Sequence, residues 1–128
     1  MNALLPLSLV AALAAAPIYA DCTAPNTDVK IPDGATATKD EMMVARHAVN
    51  DVDAAFAAFA DCLKNDRDAK IAAGGDKMTD ADKQKISAEY DSRQNAAVDK
   101  LQKLADQFNV EVRAYKAKQA PPPAPAAP

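Results

Sequence analysis

The side chains able to do chemistry beyond packing are few in this chain: two cysteines, one histidine, four methionines and a scatter of carboxylates. Cys22 and Cys62 make an even pair in a small protein, and in an oxidising compartment such a pair reads as a disulfide. The loop it would close is about 40 residues, and chain entropy then stabilises the fold by roughly 4 kcal/mol. A reactive or metal-binding thiol pair is the competing reading, and it lacks a CxxC spacing or a nearby histidine. His47, the only histidine, follows Met43 by one helical turn, so Met43 and His47 are the candidate ligands for a soft metal such as copper. The plainer alternative is a surface histidine beside Met42 and Met43, two methionines that fill the edge of a core.

The carboxylates point away from catalysis. General acid–base work needs two of them held across a cleft, whereas Asp51, Asp53, Asp61, Asp66 and Asp68 interleave with Lys64, Arg67 and Lys70 in the pattern of a solvated helical surface. Residues 76–82 are acidic but lack the ligand spacing of an EF-hand. The sequence carries no GxSxG elbow and no glycine-rich phosphate loop. It therefore assigns no catalytic residue and no cofactor, and it predicts a protein that is not an enzyme. A formal charge of −3 with signs interspersed leaves no footprint for nucleic acid or anionic lipid. With Trp absent, the usual anchor of carbohydrate and interface recognition is depleted.

The elements that position these groups begin at the N-terminus. Residues 3–16 are an apolar run broken by Pro6 and Ser8, short for a permanent membrane span. With Ala20 as the small residue before the cut, residues 1–20 read as a signal peptide, cleaved ahead of Asp21; an N-terminal anchor is the alternative. Lipidation is excluded by Asp21, which stands where the modified cysteine would have to be. The expected address is the periplasm or outside the cell, with no stable membrane insertion after cleavage. Residues 21–38, with Pro25, Pro32 and Gly34, read as an extended arm that turns at Ile31-Pro32-Asp33-Gly34.

The seam that everything else covers lies in residues 38–63. Met42, Ala45, Val49, Val52, Phe56, Phe59 and Leu63 alternate steps of three and four along a helix whose start is a Thr38–Glu41 capping box. The helix is expected over residues 39–73, frayed after Asn65, with Gly74 as its left-handed terminator. Ala48, Ala55 and Cys62 fall at intervals of seven and suggest a groove for the arm, though an Ala-rich helix has small residues everywhere. A second helix, N-capped by Thr79, is expected over 80–118 with an apolar line of Ile86, Tyr90, Ala97, Leu101, Leu104, Phe108, Val112 and Tyr115. The fold class is thus all-α: a long antiparallel helical hairpin, coiled-coil-like, with its extended arm stapled by Cys22 and Cys62. Residues 119–128, almost wholly Pro and Ala, read as a disordered C-terminus, a spacer or a docking segment.

Three stretches carry a resemblance: Ile31-Pro32-Asp33-Gly34-Ala35-Thr36 leading into Lys39-Asp40-Glu41-Met42, Cys62-Leu63, and Asn95-Ala96-Ala97-Val98-Asp99 through Phe108-Asn109 to Tyr115-Lys116. Together they resemble small exported proteins of proteobacteria with a signal peptide, one cysteine just after it and one in the first helix. The resemblance implies the architecture and the periplasmic address, and it transfers no functional residue. The function expected is non-enzymatic protein interaction or envelope association, with self-association open; copper binding and holdase-like chaperone activity are the alternatives.

Overall fold

Capping and spacing set the two long elements: α1 spans Lys39–Gly74 and α2 spans Asp80–Gln119 in the computed structural model, which describes residues 21–122. No strand occurs among the described residues. The expected signal peptide, residues 1–20, and residues 123–128 of the tail lie outside them. At the start of α1 the Thr38 hydroxyl accepts from the Glu41 amide at 3.3 Å, while the Glu41 carboxylate accepts from the Thr38 N–H at 2.8 Å. Thr79 and Asp82 repeat the device at the start of α2, with both bonds at 3.1 Å. The helices are about 54 and 60 Å long, which suits antiparallel packing over their whole length.

Two expectations about the end of α1 are corrected. The helix does not fray after Asn65 but continues through the polar stretch 64–68 to Gly74, because Asp66 accepts a hydrogen bond from the Tyr90 hydroxyl on α2 and Ile71 is half-buried. The left-handed residue is Gly75, at φ 53°, rather than Gly74. A one-turn 3-10 helix, Gly75–Lys77, then carries the chain to Thr79.

The seam forms where the spacing placed it. On α1 Met42, Ala45, Val52, Phe59 and Leu63 are buried, with Val49 and Phe56 half-buried; on α2 Tyr90, Ala97 and Leu104 are buried. Leu63, at 2 % exposure, is the deepest large side chain. The core gathers round the disulfide, where Cys22, Phe59, Leu63, Tyr90 and Ala97 meet, flanked by Phe56, Cys62 and Ile86.

The disulfide joins Cys22 to Cys62 with Cα atoms 5.7 Å apart. From it the arm runs back along the hairpin with alternating burial: Pro25, Thr27, Val29 and Ile31 are half-buried, while Ala24, Asn26, Asp28 and Lys30 are exposed. This is strand-like alternation without a partner strand. The turn begins later than expected, at Asp33, whose carbonyl accepts from Thr36 N at 3.1 Å and Ala37 N at 2.7 Å. The arm lies on the flank that carries Ala48 and Cys62, both half-buried, while Ala55 between them is exposed. Apart from the Thr38 cap, its hydrogen bonds to the helices go to α2, because helical backbone offers the arm nothing and α2 brings long polar side chains to that flank.

Candidate functional site

Two packed helices leave a groove on each side of their line of contact, and here the two grooves differ. Helical spacing places Val44, Ala48 and Cys62 on one flank of the α1 seam and Lys39, Met43 and Arg46 on the other.

The arm lies in the first groove. Arg93 donates to the Cys22 carbonyl at 3.1 Å, the Gly34 N–H donates to the Glu111 carboxylate at 2.8 Å, and the Lys118 ammonium donates to the Ala37 carbonyl. Arg93, Glu111 and Lys118 share one face of α2, five turns and then two turns apart. Glycine at position 34 is a steric requirement, since a Cβ there would stand 1.9 Å from the Glu111 carbonyl oxygen. These three anchors escaped the sequence reading. The available signal was their common face, together with the gap that Arg93 makes in the apolar line between Tyr90 and Ala97.

Among the described residues the second groove holds two hollows. Near the free end of the hairpin it deepens into a hollow of about 160 Å³ lined by Met42, Met43, Phe108, Val112 and Tyr115, with Lys39 and Arg46 on its rim. Nearer the turn it holds a polar notch of about 200 Å³ among Asp61, Lys64, Arg67, Tyr90, Asp91 and Gln94.

Behind that notch Tyr90 is held from all sides. Its hydroxyl donates to Asp66, the Lys70 ammonium lies 5.3 Å from the ring centroid, and the Arg93 guanidinium lies at 5.5 Å. Burial, helped by the bond to Asp66, pushes the Tyr90 phenol above its ordinary value. Hydrogen bonding with that phenol raises Lys70 in turn. The Tyr90 hydroxyl thereby ties α2 to Asp66 of α1. Asp66, read as surface charge, is therefore half-buried and structural.

The other candidates lie at the surface. Met43 is 48 % exposed and His47 is exposed one turn further along α1. Among the described residues no group of three or more His, Cys, Asp or Glu side chains is gathered to hold a metal. Asp51, Asp53, Asp61 and Asp68 are exposed, and Asp68 pairs with Arg67 at 2.9 Å. No helix of the described residues is long and apolar enough to cross a membrane. Comparison with protein-family models, with curated proteins and with solved structures finds no match.

Proposed function

We propose that this is an exported, non-enzymatic interaction protein that uses the open groove of its hairpin to bind protein. The observation that carries the reading is the hollow formed by Met42, Met43, Phe108, Val112 and Tyr115. Methionine and aromatic side chains give an adaptable apolar surface, and an amphipathic helix lays its apolar face into a groove of this kind. Lys39 and Arg46 on the rim favour an acidic partner. Export to the periplasm or beyond accords with the disulfide. The resemblance to small exported proteobacterial proteins supports the same address.

The test is the solution mass of the oxidised protein over a concentration series, followed by capture of unfolded clients, each repeated with Met43→Glu. Self-association or client binding weakened at least about tenfold by that charge supports the groove, because an ion in an apolar contact is poorly compensated. Binding indifferent to the substitution places the function elsewhere. A soft-metal role for Met43 and His47 is the second reading, supported by the exposure of both one turn apart on α1. A copper titration unchanged by His47→Ala removes it.

A further inference from the structure

The arm is tied down unevenly. Residues 33–38 carry the Asp33 turn, the Gly34–Glu111 and Ala37–Lys118 bonds and the Thr38 capping box. The stretch 23–32 has only local hydrogen bonds among the described residues: Thr23 to the Asp21 carbonyl, Asp28 N to the Asn26 side chain and Val29 N to the Thr27 carbonyl. Its inward side chains are no more than half-buried. A hollow lies on each side of it. One, of about 390 Å³, separates Lys30 and Pro32 from Glu41 and Val44; the other, of about 180 Å³, separates Thr27 from Lys100 and Gln107. The middle of the arm is thus held by its two ends, and its N-terminal end is held by the disulfide and by Arg93.

We propose that the arm is a redox-released strap: reduction of the Cys22–Cys62 bond lets residues 22–32 swing away about the Asp33 turn, uncovering Phe59, Leu63 and Ala97 while the two helices stay packed. The helices do not need the strap to stay together, because beyond Cys62 and Arg93 they already pack without it, through Tyr90, Asp66 and Ile86. The reductant is a dithiol. Its first thiolate attacks the sulfur of Cys62, the half-exposed partner, and the S–S electron pair leaves on the Cys22 sulfur, which takes up a proton. Its second thiolate then closes onto the first sulfur and releases Cys62, which is protonated in turn. Two electrons and two protons pass from the dithiol, which ends as a cyclic disulfide. This behaviour is independent of what occupies the open groove.

Limited trypsinolysis of the full chain tests it, because Lys30 lies in the strap while Lys100 and Lys103 lie on α2. With dithiothreitol, cleavage after Lys30 should accelerate by about tenfold or more as the open population rises, while cleavage at Lys100 and Lys103 stays slow and far-UV circular dichroism stays helical. Reoxidation should restore resistance. Cys22→Ser with Cys62→Ser should reproduce the effect without reductant, and the reduced natural protein decides if that variant does not fold. An unchanged rate at Lys30 means that the arm stays seated and overturns the proposal. Equal acceleration at Lys30, Lys100 and Lys103 overturns it as well, since the bond would then be holding the whole fold.

Discussion

From its free end to the level of Cys62 and Arg93 the hairpin has three layers, and from there to the Gly75 turn it has two. The layered part buries Met42, Ala45, Val52 and Phe59 on α1, and the arm closes one side of that seam with Cys22 and Ala37. The two-layered part has little apolar material and rests on Tyr90 with its partners Asp66, Lys70 and Arg93, together with Ile71 and Ile86. Apolar burial holds one part, while hydrogen bonds, ring–cation contacts and helix caps hold the other. A helix pair can therefore continue past the end of its cover if polar groups converge on a single well-fixed aromatic.

Replacing both cysteines by serine breaks the layered part first. Removing a 40-residue loop closure should lower unfolding free energy by roughly 4 kcal/mol in urea titration. A loss below about 1 kcal/mol would mean that the arm stays ordered without its tether. Leu63→Ala, at the boundary between the parts, should cost about 3 kcal/mol, and Ile71→Ala in the two-layered part nearer 1 kcal/mol because that side chain is only half-buried. Equal losses would erase the contrast. Gly34→Ala should destabilise by about 2 kcal/mol, because its methyl group meets the α2 backbone. A neutral result by thermal melting would place the arm further from α2.

The smallest expected effects are those of the caps. The capping bonds from Thr38 hold the Glu41 carboxyl below its ordinary value, and those from Thr79 do the same for Asp82. A lowered folded value stabilises the fold fully above the ordinary one, 4.5 for Glu41 and 3.8 for Asp82, and the contribution is lost as the pH falls through the folded value. Thr79→Ala should therefore cost about 1 kcal/mol at neutral pH and less in acid. A penalty that does not change with pH would separate the cap from Asp82.

Much of this was legible in the sequence, for identifiable reasons. Steps of three and four located Met42 to Leu63, because a helix repeats its faces with that period whatever it packs on. Thr38 with Glu41 marked a helix start because a capping box closes within four residues. The cysteine pair followed from an even count in a small chain. Arg93, Glu111 and Lys118 were not legible as anchors, because a charged residue on a helix is solvated by default until a strand of unpaired backbone is laid across it. Gly34 looked like a turn residue, while its actual constraint comes from Glu111, distant in sequence. The continuation of α1 past Asn65 depended on the Asp66–Tyr90 bond, which no local pattern announces.

The covalent bridge lies wholly on one side of the Gly75–Lys77 turn, so arm and α1 form a closed ring from which α2 hangs by a single peptide link. A protease that nicks that turn would therefore leave two pieces sharing no covalent bond, even under oxidising conditions. One would be a looped hook, and the other a rod held by Arg93, Glu111, Lys118 and the apolar seam. The halves should then behave as a split protein: separable by denaturant without any reductant, and able to re-form the native body on mixing, with the oxidised ring as the template on which the rod assembles.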